Sequence, residues 1–205
     1  MTLSPPPGAV VLFSGSDLSH WQTRRGQPAA WPVADGAMAA SRGDIISQEK
    51  FTDFQLHVEF NVPLMPDAQG QARGNSGVYL QGLYEIQVLD SYGLQPGKGD
   101  CGAIYGQAPP MVNACRPPEQ WQSYDILFHA PRFDAAGTLI EKPRVTVLQN
   151  GIWIQDNVSI DGRTTASLDA DPHQSGPILL QDHGNRVRYR NIWIRPLSGQ
   201  SRAGG

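Results

Sequence analysis

The feature that most constrains this chain is a succession of short runs in which apolar and polar residues alternate, separated by clusters of Gly, Pro, Asn and Asp. The clearest run is Phe54–Phe60, in which four apolar residues alternate with Gln55, His57 and Glu59. A period of two places alternate side chains on opposite faces of a strand. The run therefore predicts a strand with one buried face and one polar face.

Further runs of this kind follow one another along the chain, and no stretch shows a convincing helical period. They lie at 75–81, 84–90, 121–129, 144–149, 152–155, 177–181 and 187–195. Gly82-Leu83 and Asn150-Gly151 separate neighbouring runs, and Asn-Gly is a strong hairpin signal. The pattern predicts an all-β chain folded as a two-sheet β-sandwich or jelly roll. We expect a single domain over residues 9–197, with flexible termini at 1–8 and 198–205.

The last run makes a specific prediction about which side chains share a face. Regular alternation places Arg186, Arg188 and Arg190 on the outer face, as a solvated row. It places the residues between and after them on the opposite face: Val187, Tyr189, Asn191 and Trp193.

Charge and hydrophobicity exclude several classes of protein. With 16 basic and 19 acidic side chains the net charge is −3, which does not suit a nucleic-acid-binding surface. No apolar run reaches the length of a membrane helix. The N-terminus has neither a basic segment nor an apolar core of a signal peptide. Cys101 and Cys115 are compatible either with a disulfide or with two free thiols.

The densest cluster of polar residues lies between residues 73 and 105. On the run at 84–90, Glu85 and Gln87 face the same way, and a bulge at Val88-Leu89 would bring Asp90 to join them. Two carboxylates and an amide on one surface suit acid–base chemistry on sugars. The alternative is that these residues form the solvated face of an antiparallel strand. For the isosteric replacement Glu85→Gln we expect little change in stability, as for a partly exposed glutamate on a strand.

Neighbouring residues add possible ligands for a substrate. Arg73 and Asn75 lie among glycines that would permit close approach to the backbone, and Tyr105 follows a second glycine-containing segment. His183, in the segment 180–184, would be a general acid or base near neutral pH, or else a histidine that caps a turn. Gln181 lies in the same segment.

The order of these motifs resembles the 3-keto-disaccharide hydrolase domain family from about Val11 to Leu197. The residues that carry the resemblance are 12–21, 53–56, 74–79, 84–90, 102–105, 121–125, 150–151, 180–184 and 190–192. The resemblance implies a concanavalin A-like jelly roll that acts on glycosides already oxidised to a ketone at C3. It also implies export to the periplasm or beyond, with a cytoplasmic location still open. Glu85-x-Gln87-x-x-Asp90 is similar to the Glu-x-Asp-x-x-Glu strand of laminarinase-type glycosidases, from which it departs at Gln87.

The sequence therefore leads to a hypothesis of an enzyme that cleaves 3-keto-glycosides, with a small carbohydrate as its partner. Glu85 or His183 would act as base or acid with Asp90 as its partner. The remaining candidates would bind oxygen atoms of the substrate: Arg73, Asn75, Gln87, Tyr105 and Gln181. A divalent cation held by Glu85, Asp90 and His183 is an alternative to Arg73 as the stabiliser of negative charge.

Two other classes of function remain open from the sequence. A non-catalytic, lectin-like carbohydrate-binding module would use the same fold, and so would a structural sandwich that binds another protein. A lectin groove should be shallow and aromatic, whereas an enzyme should bury Glu85 against a second titratable group. The oligomeric state is not determined by these patterns.

Overall fold

A computed structural model describes residues 4–197. Within that range the chain forms fifteen strands and, as its only helical element, the 3₁₀ turn Gly70–Ala72. The strands, in chain order, are β1 Val10–Phe13, β2 Trp21–Thr23, β3 Val33–Ala34, β4 Ala37–Ala39, β5 Ile45–Ser47, β6 Phe54–Asn61, β7 Ser76–Leu80, β8 Tyr84–Val88, β9 Gln122–His129, β10 Arg132–Phe133, β11 Leu139–Glu141, β12 Arg144–Gln149, β13 Ile152–Ser159, β14 Leu179–Leu180 and β15 Arg188–Pro196.

The strands form two main antiparallel sheets. The eight-stranded sheet has the order β13-β12-β9-β6-β15-β4-β3, with β1 also paired to β15. The five-stranded sheet has the order β2-β5-β14-β7-β8, and β10 and β11 form a separate ribbon. Both predicted hairpins are present, since β7 pairs with β8 and β12 pairs with β13 around Asn150-Gly151.

The two sheets pack face to face around one core. The apolar row of β6 is fully buried, as are Val78 and Ile86 from the other sheet. The rings of Tyr84 and Phe128 lie 5.8 Å apart across the two layers. The same alternation that predicts the strands therefore fills the space between the sheets, and the prediction of a two-sheet sandwich is confirmed.

A bulge in β15 changes which residues face outward. Arg190 pairs with Glu59 and Trp193 with His57, so three steps along β15 match two along β6. The extra residue is Asn191, whose φ is +45°. Such an insertion shifts the alternation by one position. Trp193 therefore stacks on His57 on the outer face, and the prediction that it shares the face of Tyr189 is wrong.

Several smaller expectations are also answered by the structure. Cys101 and Cys115 are free thiols. None of the helical segments among the described residues is long and apolar enough to cross a membrane.

Of the two termini predicted to be flexible, residues 1–3 and 198–205 lie outside the described residues. Residues 4–8 lead into a turn in which the Ala9 amide donates to the Pro6 carbonyl.

Candidate active site

The candidate site is built on the outer face of the β7–β8 hairpin. Because Val78 and Ile86 point into the core, the residues that alternate with them point outward. Tyr79 lies directly opposite Glu85, and Gly77 lies opposite Gln87. The hairpin therefore presents a carboxyl, a phenol and an amide on one surface, with a glycine between them.

Glu85 is buried, with only 3% of its surface exposed. Its carboxyl lies over Gly77, where a Cβ would stand 2.3 Å from Oε1. The pKa of Glu85 is raised to about 7, chiefly by burial; a hydrogen bond from Tyr79 lowers it, and the charge of Asp44 contributes a smaller rise. The expectation of a partly exposed Glu85 is wrong, because neighbouring segments cover this face of the sheet.

Tyr79 is held in place by several groups. Its hydroxyl accepts a hydrogen bond from Gln181 Nε2 at 3.1 Å and lies 3.0 Å from the Thr165 carbonyl. Its single proton is donated either to that carbonyl or to Glu85. Burial, chiefly, and the neighbouring charge of Glu85 raise the pKa of Tyr79. The phenol therefore stays neutral at physiological pH and offers Glu85 a fixed hydroxyl.

The amides of Gln87 and Asn75 continue the same surface. The terminal group of Gln87 lies 3.0 Å from Glu85 Oε1 and 2.9 Å from the Ser76 carbonyl, and it donates to both when its nitrogen faces them. Asn75 Nδ2 donates to the Gln71 carbonyl at 2.7 Å. Glu85, Gln87, Asn75 and, through Tyr79, Gln181 are thus brought together as predicted.

Asp90 has a different environment from the one predicted. The strand β8 ends at Val88, and both Val88 and Leu89 point into the core. Beyond them, the buried Asp90 carboxylate pairs with Arg73, with 2.8 Å between Oδ2 and Nε. The Arg73 side chain is 32% exposed. Asp90 therefore neutralises and orients Arg73, and the proposed role as acid–base partner of Glu85 has no direct contact to support it.

Tyr105 contacts β8 with its backbone. Its backbone N–H donates to the Glu85 carbonyl at 3.2 Å, and the backbone N–H of Gln87 donates to the Ala103 carbonyl at 3.0 Å. The segment that contains Ala103 and Tyr105 thus covers the otherwise unpaired edge of β8. The contact of Tyr105 with the site shown here is therefore that of its backbone and not of its phenol.

His183 lies in the loop that follows β14, and its side chain is exposed. The loop is attached to the site because Asn185 Oδ1 accepts a hydrogen bond from the backbone N–H of Asn75 at 2.7 Å. Within residues 4–197, no three His, Cys, Asp or Glu side chains come close enough to hold a metal ion. Glu85, Asp90 and His183, the set considered as an alternative to Arg73, therefore do not form a common ligand group in this part of the chain.

Tyr79, Asp44 and Thr165 are functional neighbours that sequence reasoning missed. Alternation placed Tyr79 on the same face as Asn75, but gave no reason to pair its hydroxyl with Glu85. Asp44 precedes β5 and Thr165 lies in a loop, both far from β8 along the chain. Only the packing of those segments over the hairpin brings them near Glu85.

The raised pKa of Glu85 predicts a pH dependence of stability. The folded state keeps the proton up to about pH 7, whereas the unfolded chain releases it near the ordinary value of 4.5. The contribution of this group to the free energy of unfolding therefore falls as the pH rises through that interval. Glu85→Gln should be more stable than the wild type by about 3 kcal/mol at about pH 8. Below the lower value the two should be equally stable.

Urea unfolding at a series of pH values measures this difference. Glu141→Gln removes the same charge from an exposed strand and serves as the matched control. A difference between Glu85→Gln and wild type that does not change with pH would contradict the buried, proton-holding carboxyl.

Comparisons with known proteins agree with this fold. A Parabacteroides distasonis protein provisionally named a glycosyl hydrolase is 44% identical, with a TM-score of 0.86 over 94% of this chain and 85% of its own. The 3-keto-disaccharide hydrolase of Bacteroides thetaiotaomicron is 23% identical, and the match covers 93% of this chain and 79% of that protein. Residues 8–195 match the 3-keto-alpha-glucoside-1,2-lyase-like domain. Because this match spans nearly the whole chain, the protein belongs to the 3-keto-alpha-glucoside-1,2-lyase-like domain family.

Proposed function

We propose that this protein is an enzyme that cleaves the glycosidic bond of 3-keto-glycosides, with Glu85 as the group that moves a proton at C2 of the sugar. The single observation that carries the proposal is the environment of Glu85. Its carboxyl is buried against the Tyr79 phenol and has a pKa of about 7. A group that is half protonated near neutral pH is suited to general acid–base catalysis.

The chemistry of the substrate requires little more than a well-placed base. A ketone at C3 acidifies the hydrogen on C2, and the Glu85 carboxylate removes it as a proton. The electron pair of that bond forms the enolate between C2 and C3. When the enolate collapses, the C1–O bond breaks, C1 and C2 become doubly bonded, and the aglycone leaves after receiving a proton. Addition of water across the new double bond completes a net hydrolysis.

The neighbouring side chains would supply the remaining functions. Arg73, fixed by Asp90 and partly exposed, would stabilise the negative oxygen of the enolate. The amides of Asn75, Gln87 and Gln181 would bind the sugar hydroxyls. His183, on the attached loop, would protonate the departing aglycone from the solvent side.

The relatives support a carbohydrate-acting role, since the names of both refer to cleavage of glycosides or disaccharides. The lectin-like alternative uses the same amides as ligands. Burying an ionisable group costs stability. A binding module gains nothing from a carboxyl buried against a phenol, whereas an enzyme gains a group with a shifted pKa.

The test is incubation of the protein with 3-keto-glucosides and with their unoxidised parents, followed by measurement of the released aglycone. We expect release from the keto substrates only. A substrate deuterated at C2 should react several-fold more slowly, because the C2–H bond breaks in the first step. Equal release from the unoxidised parents would contradict the role of the ketone, and binding without release would favour the lectin.

A further inference from the structure

The outer face of the eight-stranded sheet contains a recess of about 320 Å³. It lies on the opposite side of the sandwich from Glu85. Its floor crosses three adjacent strands, β9, β6 and β15, where His57 lies opposite Asp125 and Glu59 lies between Ser123 and Arg190. We refer to this recess, with these five residues as its floor, as the back-sheet pocket.

The floor of the back-sheet pocket is both polar and buried. The side chains of His57 and Glu59 are only 3% and 6% exposed, although alternation predicts a solvated face for them. His57 Nδ1 lies 2.7 Å from Asp125 Oδ1. Its Nε2 is buried without a hydrogen-bond partner among the described residues, and the nearest carboxylate oxygen, Glu59 Oε1, is 3.6 Å away. The ring of His57 is thus held beneath the recess by Asp125, and Glu59 and Asp125 are the acidic groups of the floor.

The walls of the pocket are fixed by contacts of their own. Arg190 Nε donates to Glu59 Oε2 at 2.6 Å, and its guanidinium lies 4.0 Å from the centre of the Trp121 ring. Arg116 donates to the Trp121 carbonyl at 2.8 Å. On the opposite wall, Asn150 in the β12–β13 turn donates to the Ala114 carbonyl at 2.8 Å. The pocket is therefore preorganised by ion pairing, ring stacking and hydrogen bonds.

The charges that line the pocket indicate the class of ligand. Two carboxylates, Glu59 and Asp125, are balanced by two guanidiniums, Arg116 and Arg190. An anionic ligand would meet the carboxylates and a cationic ligand would meet the guanidiniums. A neutral ligand with hydroxyl groups, each of which can donate and accept, uses both sets. The volume is at the small end of ligand pockets and suits one ring.

We propose that the back-sheet pocket is a second carbohydrate-binding site, separate from the face that carries Glu85, which binds one neutral pyranose ring without cleaving it. The ring would accept hydrogen bonds from Arg116 and donate to Asp125. Such a site would hold a saccharide on the protein while the opposite face remains free.

The experiment uses Glu85→Gln protein, so that its outcome does not depend on turnover. Unoxidised methyl glucoside, galactoside and mannoside are titrated separately while the indole N–H signal of Trp121, assigned by Trp121→Phe, is followed by NMR. We expect at least one of them to shift this signal in a saturable manner. Asp125→Asn, which still accepts a hydrogen bond from His57, should weaken binding by about tenfold.

The matched control is Asp156→Asn, which removes the same charge from an exposed position on the same sheet and should leave the affinity unchanged. Arg116→Met provides a second, independent variant should Asp125→Asn lose its fold by circular dichroism. The proposal is overturned if no methyl glycoside shifts the signal, or if both pocket variants bind as well as the parent. Equal binding of glucuronate or glucosamine would overturn the preference for a neutral ring.

Discussion

Replacing Glu85 by Gln is expected to slow aglycone release from 3-keto-glycosides by about two to four orders of magnitude, the usual contribution of a general acid–base group. The amide keeps the size of the side chain but cannot take the C2 proton. Binding of the keto-sugar should change far less, because an amide still donates and accepts hydrogen bonds. The measurement is kcat and KM for aglycone release, with the loss expected in kcat.

Two further variants make this result specific. Glu141→Gln, on the exposed strand β11, should behave like the wild type. His183→Gln should cause a milder loss, because no contact within residues 4–197 fixes the exposed imidazole near Glu85, and water can replace it as the proton donor to the aglycone. The reverse order, with His183→Gln inactive and Glu85→Gln active, would assign the base to the imidazole. Normal rates for both would remove both residues from the mechanism.

Gly77→Ala is expected to slow the same reaction by about a hundredfold, although residue 77 has no functional group. A Cβ at this position would stand 2.3 Å from Glu85 Oε1 and 2.9 Å from Tyr79 Cε2. Both side chains would have to move, and a displacement of about 1 Å at a catalytic group costs on the order of a hundredfold. The φ of Gly77 is not in the left-handed region, so the backbone itself accepts alanine.

The double variant Gly77→Ala/Glu85→Gln distinguishes this effect from a general loss of structure. If Gly77 acts by seating the Glu85 carboxyl, its substitution has nothing left to disturb once that carboxyl is an amide. The double variant should then be no slower than Glu85→Gln alone. A further hundredfold loss in the double variant would show that Gly77 acts on something other than Glu85.

Local sequence patterns predicted most of the fold because strand formation and hairpin turns depend on neighbouring residues. The alternation in β6 and the Asn150-Gly151 turn each needed only a few consecutive positions. The sandwich follows because such strands can bury their apolar faces only against a second sheet. The same patterns failed at Asn191, where an inserted residue shifts the alternation and turns Trp193 outward.

The sequence predicted several residues of the candidate site, but it did not predict their burial, their pKa values or their ion-pair partners. Strand alternation was enough to place Glu85 and Gln87 on one face. The pKa of Glu85 depends on burial and on Asp44, which is 41 positions away along the chain (85 − 44) and approaches only in the folded state. Similarly, the position of Asp90 suggested an acid–base partner, whereas the fold pairs it with Arg73.

The sequence by itself thus determined which residues form strands, which faces are apolar and which polar groups lie close together on β8. The tertiary structure decided which of those polar groups are buried, because burial depends on loops that come from distant parts of the chain. It covers Glu85 and raises its pKa, leaves His183 in solvent, and closes a polar recess over His57 on the opposite sheet. The protonation state of a buried side chain depends on contacts with residues far away along the chain, and a local sequence pattern carries no information about those contacts.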